Sequence, residues 1–259
     1  MIDSHCHLDF EIFDTYRAEL LARMRAAGIT GYIIPGVKAD TWSRLLEVVE
    51  QDSQCALALG LHPAFMEDHR SADLLQLEQS LNHPSVVAIG EIGLNRLHHS
   101  EDLSAQKEIL NQQLTLAKEQ GVPVILHARQ SLDELIGIVR KLGFSNGGIV
   151  HAFSGSEQQA EQWLKLGFKL GVGGAITHPR AVRLRRVVAK LSTGSIVLET
   201  DSPDMRPSFL PKNCENTPLV IPLIASVLAS LRGEGWQEVV EQSDKAVLEA
   251  LPRCAERFR

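Results

Sequence analysis

Val122-Pro123-Val124-Ile125-Leu126-His127 is an apolar run that stops on a histidine. A short apolar run of this kind reads as a strand buried on both faces, as in a parallel sheet. Before it lies the helical stripe Ile109, Leu110, Leu114 and Ala117, and after it a helix over 131–142. The same unit repeats in both directions. Toward the C-terminus come Gly148-Ile149-Val150-His151, a helix over 156–166, Phe168 to Gly173, a helix near 179–190, and Ser195 to Asp201. Toward the N-terminus come Val86 to Glu91, a helical stretch over 71–82, Ala56 to Gly60, a helix over 39–52, and Gly31 to Pro35. A helix over 14–27, closed by Gly28, leads back to a first strand ending in His5-Cys6-His7. Eight strands alternating with helices over about 250 residues predict an α/β fold, a (β/α)8 TIM barrel. Helices near 218–232 and 236–250 are additional and C-terminal. A doubly wound sheet has no support, because neither GxGxxG nor GxxxxGK[ST] occurs.

No linker, repeat or low-complexity segment divides residues 1–259, so one domain is expected. The 44% hydrophobic and 22% charged content is that of an ordinary globular chain. No apolar run approaches the ~20 residues of a membrane span. The N-terminus has no basic and apolar leader, and a cytoplasmic location with no membrane contact is expected. Cys6, Cys55, Cys214 and Cys254 are far apart without a CxxC pair, which points to reduced thiols and away from a thiolate zinc site. A net charge of −6 argues against avid nonspecific duplex binding. It is compatible with a nuclease that engages a few phosphates, since bound cations bring local positive charge. No protein partner is implied, and a monomer is expected.

In barrel enzymes the chemistry sits where strands end. Here the first strand ends on His5-Cys6-His7, the fourth on Glu91, the fifth on His127, the sixth on His151 and the eighth on Asp201. In a strand, residues i and i+2 share a face, so His5 and His7 pair and Cys6 turns away. Four histidines and two carboxylates on one rim suit two divalent cations (Zn, Mn, Mg, Fe or Ni). Glu91, the rim glutamate, is the natural bridge between them, and Asp201 is placed to take a proton from activated water. The reaction class is hydrolysis; no GxSxG marks a serine nucleophile.

These residues fall in motifs that resemble the TatD family of metal-dependent hydrolases, in the amidohydrolase superfamily, and its YjjV-type branch. The resemblance is carried by Asp3-Ser4-His5-Cys6-His7, Gly60-Leu61-His62-Pro63, Gly90-Glu91-Ile92-Gly93-Leu94 and Pro123 to Arg129. It continues through His151-Ala152-Phe153-Ser154-Gly155, Gly171-Val172-Gly173-Gly174 and Leu198 to Pro203. It implies a TIM barrel in which His5, His7, Glu91 and Asp201 hold one cation and Glu91, His127 and His151 the other. It also implies deoxyribonuclease activity that trims DNA from the 3′ end. Asn95 stands where the family usually has aspartate, Ala128 where it commonly has serine, and Ser243 to Glu249 match its last helix poorly. That last departure puts the docking of the C-terminus in question.

Around this centre, His62 and Arg129 are expected to contact substrate, Arg129 by clamping a phosphate. Ser154 either touches substrate or caps the following helix. Glu199 is expected to support a ligand histidine. His69, His83, His98, His99 and His178 read as ordinary histidines, and Arg180, Arg183, Arg185 and Arg186 as a solvated helix face. DNA is the expected substrate. A small phosphate ester, amide or ester would use the same site, and a barrel that binds metal without catalysis is the rival from another class.

Overall fold

The computed structural model describes residues 1–96 and 103–258. Eight strands lie side by side in chain order: β1 (Ile2–Asp3), β2 (Gly31–Pro35), β3 (Cys55–Leu59), β4 (Val86–Asn95), β5 (Val124–Arg129), β6 (Gly148–Val150), β7 (Phe168–Val172) and β8 (Ile196–Leu198). Every neighbouring pair is parallel. Between them run α1 (Arg17–Ala26), α2 (Trp42–Gln51), α3 (Asp73–Ser80), α4 (Leu103–Glu119), α5 (Leu132–Leu142), α6 (Glu157–Lys165) and α7 (Val182–Lys190). After β8 come α8 (Ile221–Arg232), α9 (Trp236–Ala250) and the short α10 (Cys254–Arg257). This is the (β/α)8 TIM barrel with added C-terminal helices that the alternation predicts.

Alternation along the strands builds two layers of core. Ile33, Ala56, Ala58, Val87, Ile125, Ile149 and Val197 cluster inside the barrel, while Tyr32, Ile34, Leu57, Val124, Leu126, Val150 and Leu198 pack outward against helices. Two residues beyond Ile125, Ile149 and Val197 are His127, His151 and Glu199. The barrel's apolar interior thus gives way at its upper end to ionisable side chains.

The last seam, between β8 and β1, closes through individual bonds. The Ser4 N–H donates to the Leu198 carbonyl (3.0 Å), Asp201 N–H to His5 (2.8 Å) and His7 N–H to Ser202 (2.7 Å). The buried Asp3 carboxylate accepts from the His5 N–H (3.2 Å), the Thr200 N–H (3.0 Å) and the Thr200 hydroxyl (2.6 Å).

Several boundaries differ from the sequence reading. β4 runs on to Asn95 and β5 to Arg129, so Glu91 and His127 lie inside their strands, while β6 stops at Val150, one residue short of His151. β1 stops at Asp3 and β8 at Leu198, so His5, His7 and Asp201 lie just past the strands rather than on them. Once the backbone turns to make the seam bonds, it leaves the regular ladder; Asp201 itself has φ of 52°. Val122 and Pro123 stay outside β5, since proline has no N–H for the ladder.

The C-terminus is firmly docked, contrary to the expectation from its divergent sequence. Ser243 Oγ accepts the Leu198 N–H (2.8 Å), and Asp244 accepts the Ile2 N–H (2.7 Å) and lies 3.4 Å from the N-terminal ammonium. Arg253 and Arg257 donate to carbonyls at the starts of β4 and β3, Val86 (3.1 Å) and Cys55 (2.7 Å). Ser243 and Asp244, in the stretch that departs from the family pattern, are therefore what ties α9 to β8 and β1.

Replacing Asp3 with alanine leaves three buried donors without an acceptor, at about 1–3 kcal/mol each. Urea denaturation of Asp3→Ala is expected to show a loss of about 3–5 kcal/mol, and Asp3→Asn, which keeps one acceptor oxygen, a smaller one.

Candidate metal centre

The strands and the turns that follow them bring His5, His7, His62, Glu91, His127, His151, Glu199 and Asp201 together at the upper mouth of the barrel. Two sets of ligand atoms lie within 4.8 Å of one another around the rim carboxylates: His5, His7 and Asp201, and His62, Glu91 and His127. Glu91 connects them. Its Oε2 is 3.2 Å from His5 Nε2 and 4.0 Å from His7 Nε2, while its Oε1 is 2.6 Å from His127 Nδ1 and 3.5 Å from His62 Nε2. Asp201 Oδ1 is 3.6 Å from His5 Nε2 and 3.7 Å from His7 Nε2.

His151 sits on the Asp201 side. Its Nε2 is 3.5 Å from Asp201 Oδ2, its Nδ1 is 3.2 Å from Glu199 Oε1, and its ring stacks on His5 at 3.5 Å. His5, His151 and Glu199 form a third close set. The resemblance groups His151 with Glu91 and His127; here His62 occupies that flank and His151 leans toward two other carboxylates.

The donor atoms fit divalent cations. Both nitrogens of His5, Nδ1 of His7 and of His151, and Nε2 of His127 are buried without a well-formed hydrogen bond among the described residues. An unsatisfied buried polar atom costs about 1–3 kcal/mol, and these atoms belong to the four imidazoles that surround Glu91 and Asp201, a donor set that suits a divalent cation. His127 donates from Nδ1 to Glu91, which leaves the Nε2 lone pair free to ligate. His62 is the opposite case. Its Nδ1 accepts the Ala64 N–H (3.0 Å), which puts the proton on Nε2 and makes that atom a donor rather than a ligand.

The electrostatics agree with this division. Burial disfavours charge on Glu91, yet His5, His62 and His151 together with the bond from His127 hold its carboxyl well below the usual glutamate range. Burial likewise opposes ionisation of Asp201, and His151, His5 and His7 outweigh it to lower its pKa. Burial, with His5 beside it, pushes His7 down to about 4 against the pull of Asp201 and Glu91, so its imidazole is neutral at pH 7. His127 is also lowered by burial. Burial opposes protonation of His151 too, but Glu199, Asp201 and Glu91 overcome it and raise its pKa well above the ordinary value.

Glu199 is the support of His151. It is fully buried, and its Oε1 also accepts the Ala152 N–H (2.7 Å). Gly171 makes room for it: a Cβ there would stand 2.2 Å from Glu199 Oε2. Asp3, which sequence reasoning passed over as a functional residue, fixes the backbone on both sides of the centre through His5 and Thr200. Its signal was present as a carboxylate two residues before the first histidine.

A cleft of about 400 Å³ opens onto the centre, lined by His127, Arg129, His151, Ser154, Asp204 and Met205 among others. Arg129 is exposed on its wall. Ser154 is exposed there too, and it does not cap α6: Ser156 does, accepting the Gln159 N–H (3.2 Å) in a capping box. Arg183 is more than a solvated face, since it donates to the Ser154 carbonyl (2.9 Å). His69 and His178 bond to the carbonyls of His62 and Arg206, and His98 and His99 lie outside the described residues. Of the cysteines, Cys6, Cys55 and Cys254 are buried and Cys214 is exposed, all as free thiols.

Two outcomes follow from the ligand geometry. Glu199→Gln keeps the acceptor for Ala152 but removes the charge facing His151 Nδ1, and is expected to weaken Mn2+ or Zn2+ binding about 10–100-fold by calorimetry. Because protons and cations compete for His151, wild-type cation affinity is expected to rise with pH, with proton release measurable in buffers of different ionisation enthalpy.

The family described as "TatD related DNase" matches residues 2–251. The metal-dependent hydrolase YjjV of Escherichia coli K12 is 41% identical over 242 residues, covering 93% of this chain and 93% of that protein. The crystal structure of E. coli YjjV, a TatD homolog, superposes with a TM-score of 0.93 over 97% of this chain and 98% of that one, at 38% identity. A protein of Erwinia billingiae named 3′-5′ ssDNA/RNA exonuclease TatD is 31% identical over 252 residues, covering 94% of this chain and 96% of that one. With these motifs at the mouth of this barrel, the chain belongs to the TatD family and is a metal-dependent hydrolase.

Proposed function

We propose that the protein is a two-cation phosphodiesterase that removes nucleotides from the 3′ end of DNA, as a cytoplasmic monomer. The observation that carries this reading is Glu91, whose two oxygens face different histidine groups. A single carboxylate in that position is the bridge that a two-cation phosphoryl site needs. One cation would be held by His5, His7, Glu91 and Asp201, and the other by Glu91 and His127, with His151, which here leans toward Asp201 and Glu199, as the third ligand that the family resemblance implies. The names of relatives such as the Erwinia exonuclease support nucleic acid as the substrate class.

Divalent cations bound there would acidify water and offset charge on the phosphate oxygens. The remaining work falls to the chain. Asp201 is ionised across the neutral range and borders the cleft, so it receives the proton of the attacking water. His62, with its proton on Nε2, donates toward a phosphate or leaving oxygen as charge builds there. Arg129 on the cleft wall orients the phosphate with its planar guanidinium. Six of the eight centre residues are buried and His127 and Asp201 are half-buried, which limits competing water.

The test is digestion of 3′-labelled and 5′-labelled single-stranded DNA with Mg2+, Mn2+ or Zn2+. Stepwise 3′ shortening is expected, abolished by chelator and by Glu91→Ala. Asp201→Asn is expected to lower kcat at least about 100-fold with an unchanged circular dichroism spectrum. Intact DNA under all three metals would overturn the nuclease reading.

A further inference from the structure

Beside the metal centre is a second cavity of about 530 Å³, which shares no lining residue with the cleft at Arg129. Its apolar walls are Phe10, Ile12, Val37, Phe65 and Pro203, with Lys38 and Arg44 also lining it. We propose that it is a nucleobase pocket, which takes an unstacked base flanking the phosphodiester that is cut. The proposal rests on the nucleic-acid reading above.

Contact between the two sites carries the argument. The Phe10 ring stacks on His7 with centroids 4.7 Å apart and planes 24° apart. The Phe65 ring meets His62 edge-on at 5.8 Å. Each phenyl ring thus has one side against a histidine of the centre while its residue lines the cavity. A base held in the cavity is one aromatic layer from the reacting phosphate. His62 and Phe65 share a single short turn, Pro63–Phe65, for which His62 is the cap, so the donor and the aromatic wall move as a unit.

The chemistry of the walls selects the occupant. Phe10 and Phe65 are only partly buried, and Ile12 is 45% exposed. A flat π surface covers such walls well, and a base stacked on an aromatic side chain gains about 1–3 kcal/mol. The rim carries both signs, Lys38 and Arg44 beside the buried Asp9 and the exposed Glu11. Lys38 Nζ lies 5.6 Å from the Phe65 centroid, with Asp68 and Asp40 at 3.4 and 3.6 Å as loose, exposed partners. Arg44 is held in place by the Asp9 carbonyl (2.6 Å) and by Asp14. The two aromatic rings match the flat face of a base, and Lys38, whose carboxylate partners are exposed, can exchange them for the adjoining phosphate, whereas an acyl chain or apolar peptide would use neither the ring faces nor that cation. A base can enter only after leaving its stack, which favours single strands and frayed ends over intact duplex.

The test uses single-stranded oligodeoxynucleotides whose 3′-terminal or penultimate nucleotide is replaced by an abasic tetrahydrofuran residue. With Mg2+ or Mn2+ supplied, wild type is expected to cut the fully base-bearing strand about tenfold or more faster, by kcat/KM, than one of the two abasic strands. Phe65→Leu, which keeps apolar volume without the ring, and Phe10→Ala should each bring that ratio to within about twofold. In a binding assay with Mg2+-loaded Asp201→Asn, a strand carrying 2-aminopurine at the sensitive position should lose fluorescence on binding, and added Phe65→Leu should restore it. Equal cleavage of all three strands by wild type, or a ratio unmoved by both substitutions, overturns the pocket and leaves the nuclease reading standing. Failure to cut any strand overturns both.

Discussion

The carboxylate of Asp3 joins the first strand to the last, and the rest of the molecule depends on that joint. Its oxygens gather the His5 N–H and both donors of Thr200, and the backbone bonds of Ser4, His7 and Asp201 continue the seam. These bonds set His5 and Asp201 side by side although 196 positions in the chain separate their numbers, so closing the barrel and assembling the ligand set are one event. A buried carboxylate is costly to leave unpaired, so only the registered seam satisfies it. The same bonds explain why β1 and β8 are short: the backbone leaves the ladder in order to present its side chains upward.

Above the seam, charge is balanced over the whole centre. Glu91 and Glu199 are buried and Asp201 half-buried, and each carboxylate faces histidines rather than lysines or arginines. Histidine suits the position because it can surrender its proton to a cation, whereas a lysine or arginine would keep its charge and repel one. Each imidazole is directed by what its second nitrogen meets. His127 donates to Glu91, His151 faces Glu199, and His62 accepts from Ala64, so residues of one type divide into ligands and a donor.

Much of this was legible in the chain. Eight apolar runs at barrel spacing, five of them ending in His, Glu or Asp, sufficed for the fold and for the ligand candidates. Strand alternation carried the inference, since Ile125 and His127, or Ile149 and His151, must share a side. Less legible were features that depend on who meets whom. Ser154 and Ser156 are equally good capping residues by type, and only the backbone of α6 shows that Ser156 has the role. Ser243 and Asp244 looked like departures from a pattern, yet they hold Leu198, the last residue of β8, and Ile2, the first of β1.

The sequence by itself determined the parallel barrel, its added helices, and the set of residues able to bind cations, because period and strand-end chemistry are local properties. Tertiary structure alone decided that Asp3 closes the seam, that His151 turns to Glu199 and Asp201, and that His62 bears its proton on the side of Glu91. It also decided that Phe10 and Phe65, 55 positions apart, wall one cavity against the centre. Hydrogen-bond partners, tautomers and pocket walls are fixed by distances of a few ångströms between elements far apart in the chain, and no local pattern records those distances.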